Sequence, residues 1–116
     1  MDCIEMARKV VQSPLWEQGG LTLQVWLWLL AHAVREAEGR DVEGGLHLER
    51  GQLLTSYTEI ARGCQFRAGN GLKVPSRSTI RGIIDRLSLG WLTVRSVSRP
   101  GGNDSLGLLI TVSTPA

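Results

Sequence analysis

Cysteine is scarce in this chain, and no short spacing joins the two residues it has. Cys3 and Cys64 lie far apart with no CxxC or CxxH pattern around either, so the sequence supports neither a zinc site nor a disulfide framework. Both read as free thiols of a reducing compartment. Long hydrophobic runs are missing too: the most apolar stretch, LQVWLWLLAHAV, is interrupted by Gln24 and His32 and falls short of the ~20 residues a membrane span needs. No basic start leads into an apolar segment, as a secretory signal requires, and the expected location is the cytoplasm. Catalytic patterns are equally thin. His32 and His47 have no serine, cysteine or carboxylate at catalytic spacing, and RPGGNDS lacks the lysine and spacing of a phosphate-binding loop. The expectation is a protein that is not an enzyme and holds no metal or cofactor.

What is present is an ordinary globular composition with an uneven charge distribution. The 116 residues, 42% hydrophobic and 21% charged, suit one folded domain with a modest core. The formal net charge is only +2. Residues 1–56, however, hold eight acids and five bases, whereas residues 57–99 hold Arg62, Arg67, Lys73, Arg77, Arg81, Arg86, Arg95 and Arg99 against Glu59 and Asp85 alone. Such an asymmetry is the electrostatic footprint of a polyanion binder, and solvated charge alone also produces it.

Periodicity orders the elements. Residues 1–20 read as an N-terminal docking segment with a short helix, ending at Gly19-Gly20. From Leu21 to about Glu38 the apolar residues Val25, Trp26, Leu29, Leu30, Ala33 and Val34 recur at helical spacing. Leu27 and Trp28 fall outside that face, so this helix needs cover on both sides, from the N-terminal segment or from a second subunit. The alternation in LHLERGQLLTS predicts a short strand with a turn or bulge at Gly51. Thr55 or Ser56 can cap the helix YTEIARGC, and Glu59, three residues after Ser56, has the spacing of a capping box. Asn70-Gly71, within an inserted loop at 63–75, signals a hairpin with a type I′ turn. Ser76 caps the last helix, whose stripe is Ile80, Ile83, Ile84 and Leu87, with Gly90 expected to close it in the left-handed conformation. WLTVRSV and LGLLITVS then form a hairpin at 91–113.

The stretch PSRSTIRGIIDRLSLGWL resembles the recognition-helix segment of GntR- and MarR-type regulators. More widely, VVQSPLWEQ, LTLQVWLWLLAHA, LERGQLLTSYTEIA and STIRGIIDRLSLGWLTV are similar, in order and spacing, to the N-terminal domain of phage replisome-organiser and DnaD-like replication proteins. The resemblance implies an α+β winged helix-turn-helix at 21–114: a three-helix core, a short strand and a C-terminal hairpin wing. It also implies a bacterial or phage-encoded protein that binds double-stranded DNA in replication initiation. GCQFRAGNGLKV departs from the family pattern, which joins the two helices of the motif by a few residues.

On that reading the last helix presents Arg77, Ser78, Arg81, Gly82 and Asp85 to a major groove, which admits an α-helix. Arg77 and Arg81 are one turn apart, and either suits the O6 and N7 acceptors of a guanine. Ser76, Ser78 and Thr79 place hydroxyls and free amides in the first turn, where a phosphate binds. Arg95 and Arg99 of the wing, with Arg67 and Lys73 of the inserted loop, are expected as positioning contacts. Arg81 and Asp85 also have the spacing of a simple surface ion pair. A transcriptional regulator would use the same surface. An interaction module, assembling as a homodimer or with replication proteins through the apolar first long helix, is the alternative from another class.

Overall fold

Alternate residues of the C-terminal strands go to opposite sides of one sheet, and the rest of the molecule is built in layers on those two sides. The computed structural model describes residues 3–17, 19–42, 45–98 and 105–112. The elements run α1 (Cys3–Val11), α2 (Pro14–Glu17), α3 (Gly20–His32), β1 (Arg40–Val42), β2 (Leu46–Leu48), β3 (Gln52–Thr55), α4 (Tyr57–Gly63), β4 (Phe66–Ala68), β5 (Gly71–Lys73), α5 (Arg77–Leu87), β6 (Leu92–Ser98) and β7 (Ser105–Val112). All strand pairs are antiparallel. One sheet has the order β3-β7-β6, and β1-β2 and β4-β5 form two separate two-stranded sheets.

The register assigns each side. Leu53 opposite Ile110, and Leu92 beside Val112, face the helices, where Val25, Trp26, Leu29, Ile60, Ile80, Ile83, Ile84 and Leu87 complete the main core. Leu54 opposite Leu109 faces the other way and joins Val34, Leu48 and Val97 in a second, smaller cluster under β1 and β2. Gly107 makes the close pairing of β7 with β3 feasible. Its φ is +135°, and a Cβ there would lie 2.6 Å from the Thr55 carbonyl oxygen.

The α+β class stands, but the expected winged helix-turn-helix architecture does not. Among the described residues there are five helices and seven strands in three sheets, a higher strand content than a three-helix core with one short strand and a hairpin wing. The excess has two sources. The glycine-rich link after α3 supplies β1, the single strand expected in LHLERGQLLTS divides into β2, which pairs with β1 over the far side of the central sheet, and β3, which pairs with β7, and the inserted segment forms a sheet of its own.

Local chemistry explains the boundaries. The first long helix stops at His32, six residues short of the expected end, because Val34 is drawn into the sheet: its amide donates to Gln52 O at 2.9 Å and its carbonyl accepts from Gly51 N at 2.9 Å. That helix finds its cover within the chain. Val10 of α1 enters the main core, and of the large apolar residues on α3 only Leu27 is exposed. Gly63 ends α4 where any side chain would overlap the Trp28 indole. Trp26 is fully buried and meets Trp91 edge-on at 5.2 Å, while its indole N–H has no hydrogen-bond partner among the described residues.

Ser56 caps α4 by accepting from Glu59 N at 3.1 Å, but the Glu59 carboxylate takes the Thr55 hydroxyl at 3.1 Å, so only half of a reciprocal capping box forms. The helix α5 buries Ile80, Ile83, Ile84 and Leu87, each to within 2% of full burial. At about 1.5–3 kcal/mol for each large aliphatic side chain removed from water, these four fix its orientation. Its end differs from expectation. Ser88 caps it at φ −68°, its hydroxyl donating to Asp85 O at 2.6 Å, and Gly90 has no positive φ because Trp91 N reaches back to Leu87 O at 2.8 Å.

The hairpin signalled by Asn70-Gly71 is present, with its turn one residue earlier. Ala68 pairs with Gly71, Gly69 has φ +62°, and Asn70 has no positive φ. Glycine first and a negative φ second is the sign pattern of a type II′ turn rather than type I′.

Candidate nucleic-acid interface

The surface of α5 follows from its buried stripe. With Ile80, Ile83, Ile84 and Leu87 turned inward, about 100° per residue puts Ser78, Gly82 and Asp85 at the centre of the outer face. Arg77 and Arg81 share one flank and Arg86 lies on the other. All six are exposed. The ion pair that the spacing of Arg81 and Asp85 allows does not form; the two ion pairs among the described residues are Glu36–Arg40 and Asp41–His47. Gly82 has open space where a Cβ would go, so nothing inside the protein demands glycine there.

The first-turn hydroxyls are more occupied than the sequence implied. Ser76 Oγ accepts from Thr79 N at 3.1 Å and lies 2.8 Å from Thr79 Oγ1 and 3.3 Å from Ser78 Oγ. The cap therefore ties the three hydroxyls to one another and uses the Thr79 amide. The amides of Arg77 and Ser78 precede the first intrahelical bond, from Ile80 N to Ser76 O at 3.1 Å, and stay unclaimed by the helix.

The other basic residues divide into those the fold brings towards α5 and those it does not. Lys73 ends β5, four residues before Arg77. Arg67 is directly opposite Leu72, and Phe66 directly opposite Lys73. Opposed residues share a face and neighbours alternate, so Arg67 and Lys73 project from opposite faces of this hairpin. Arg95 is opposite Leu109, whose side chain belongs to the cluster under β1 and β2. It thus leaves the central sheet on the side away from α5, and no single flat surface takes in both Arg95 and Arg81. Arg99 lies outside the described residues, as does the turn between β6 and β7.

Arg86 and Arg62, both exposed, are the residues that site reasoning from sequence passed over. Projecting the helix around its buried stripe would have found Arg86. Arg62 follows only from the placement of α4 beside α5.

Elsewhere the titratable groups are held by local contacts. The Asp41 carboxylate, 2.7 Å from His47 Nδ1, raises the imidazole above its ordinary value. The Arg40 guanidinium, 2.6 Å from Glu36 Oε1, lowers that carboxyl. Burial raises the Cys64 thiol to about 11. His32 Nδ1 meets Trp28 O at 2.8 Å, and its ring stacks on the Trp28 indole at 4.1 Å. Among the described residues no three His, Cys, Asp or Glu side chains gather as metal ligands would, and no helix is long and apolar enough to cross a membrane. Comparison with protein-family models, with curated proteins and with solved structures returned no match.

Proposed function

We propose that the protein binds double-stranded DNA by laying the outer face of α5 in the major groove. The observation that carries this reading is the state of Arg77 and Arg81. They share one exposed flank of a helix whose other side is fully buried, and neither forms an ion pair with a carboxylate among the described residues. The carboxylate–guanidinium pair found among the described residues, Glu36–Arg40, lies in the N-terminal half. An unpaired guanidinium one helical turn from another is suited to a guanine edge, where a bidentate contact discriminates by about 1–3 kcal/mol. Lys73 and the free amides of Arg77 and Ser78 would take phosphates, and the bare surface at Gly82 admits a sugar-phosphate wall. Replication initiation of the phage type is the setting that the sequence resemblance favours.

The test is a fluorescence-anisotropy titration of duplex DNA at several salt concentrations. About four phosphate contacts give a log-log salt slope of about −3 to −4. Charge reversal by Arg77→Glu or Arg81→Glu is expected to weaken binding at least about tenfold. The Gly82→Ala variant is expected to gain about 0.5–1 kcal/mol of stability from helix propensity while binding DNA less tightly. If both arginine reversals left affinity intact at physiological salt, the assignment of this face would fail. A second reading, assembly with another protein or a second copy, has its own observation: Ile4, Val11, Trp16 and Leu27 expose large apolar side chains on α1, α2 and α3. Gel filtration in high salt separates it from DNA binding, because apolar association survives salt that abolishes phosphate contacts.

A further inference from the structure

The β4-β5 hairpin is built as a prong. Its base is held against α3: Gln24 Nε2 donates to Gln65 O at 3.1 Å, and Phe66 closes one wall of a cleft it shares with Gly20, Leu21 and Gln24. The other face carries Arg67 and Leu72 as a directly opposed pair. Leu72 is 60% exposed, and Arg67 has no hydrogen bond or ion pair among the described residues. Leu72 thus has a cation beside it on a strand pair that ends in a tight turn.

We infer that this hairpin enters the minor groove next to the major groove occupied by α5, with Arg67 in the groove and Leu72 pressed against a base step. The inference rests on the DNA-binding reading of α5. Reach supports it: four residues lie between Leu72 and Arg77, so the contour from one to the other is at most about 18 Å. The centres of neighbouring major and minor grooves are separated by about 17 Å, half of one helical turn. Chemistry supports it as well. A narrow A·T-rich minor groove has an enhanced negative potential that attracts arginine. An apolar side chain inserted between bases unstacks them and bends the duplex by about 20–90°. The open turn at Gly69-Asn70, where an added Cβ on Gly69 would meet nothing within 4 Å, leaves the tip free of the rest of the protein.

The experiment measures affinity by anisotropy and bending by energy transfer between the two labelled ends of an A·T-containing duplex. It compares the full chain with its Leu72→Ser, Arg67→Ala and Arg81→Glu variants, with circular dichroism to establish that each is folded. The expected result has three parts. The full chain bends the duplex. Leu72→Ser removes the bend and changes affinity less than about threefold, since the phosphate contacts remain. Arg67→Ala weakens binding and removes the advantage of A·T-rich over G·C-rich flanks. Bending by Leu72→Ser equal to that of the full chain, together with Arg67→Ala binding unchanged, overturns the hairpin's role and leaves α5 untouched if Arg81→Glu still loses affinity. No binding by the full chain at low salt overturns both. A folded Leu72→Ser variant that loses all affinity also contradicts the inference, because it would make Leu72 a general docking residue.

Discussion

Two hairpins of equal strand length, β1-β2 and β4-β5, have been put to different uses. Each pairs three residues with three. The first lies over the central sheet, buries Leu48 to 4% exposure against Val34 and Leu109, and pairs the charges it leaves outside as Asp41–His47. The second leaves Leu72 and both of its cations exposed, with neither cation in an ion pair among the described residues. The contrast separates an element that the fold needs from one that it merely supports. A two-stranded ribbon is marginal by itself, so β1-β2 is held by its buried face, whereas β4-β5 is held at its base by Gln24 and Phe66.

Truncating the equivalent leucines breaks the comparison most directly. Leu48→Ala is expected to cost about 2–4 kcal/mol, because it empties a buried site between two sheets. Leu72→Ala should stay within about 0.5 kcal/mol, as surface substitutions do. Urea unfolding of the two variants measures both, read as midpoint shifts at constant slope. A Leu72→Ala cost as large as that of Leu48→Ala would mean that the second hairpin also covers core, and the prong would lose its basis.

The glycines at the two hairpins sharpen the same contrast with a smaller effect. Gly39 precedes β1 with φ +79°, and a Cβ there would run into the Leu48 carbonyl oxygen and the His47 ring. Gly69 has φ +62° with open space around it. Gly39→Ala therefore meets both backbone strain and a clash with main chain, for about 2–4 kcal/mol. Gly69→Ala meets strain alone, about 1–2 kcal/mol. Thermal unfolding of the pair is the check. Equal losses would show that the clash at Gly39 relaxes without cost and that β1-β2 is less tightly seated than its geometry indicates.

What could be read in advance was what chain neighbours decide. Ser76 caps the helix it was expected to cap, Ser56 rather than Thr55 caps α4, and the stripe of α5 is the one its spacing dictates. Partners distant in sequence decided the rest. EAEGRDVEGG reads as a charged, glycine-rich link because β1 is only three residues long and its one apolar residue, Val42, finds its neighbours across β2. The end of α3 was set by Gln52 and Gly51, which claim the backbone of Val34. The side on which Arg95 lies depends on its register with Leu109, and a shift of one residue reverses every face. Placing Arg95 beside α5 from sequence was therefore a choice that periodicity had no means to make. Arg77 and Arg81 needed only the period of one helix.

The smallest effect concerns the charge pair that closes β1-β2. His47 and Asp41 are opposed across the strands with Nδ1 and Oδ1 2.7 Å apart, and the carboxylate holds the imidazolium above its ordinary value. A group whose folded pKa is raised stabilises the fold most below its unfolded value, about 6.5, and this contribution fades as pH rises through the folded value. Stability attributable to the pair should thus be greatest in mild acid and absent in alkaline solution. Both side chains are well exposed, so salt should shrink the shift. An NMR titration of the His47 ring measures it, with Asp41→Asn expected to bring the midpoint down. If His47 in the unsubstituted chain titrated at the same pH as in Asp41→Asn, the pair would be open in solution, and the covering hairpin would rest on Leu48 and its apolar neighbours alone.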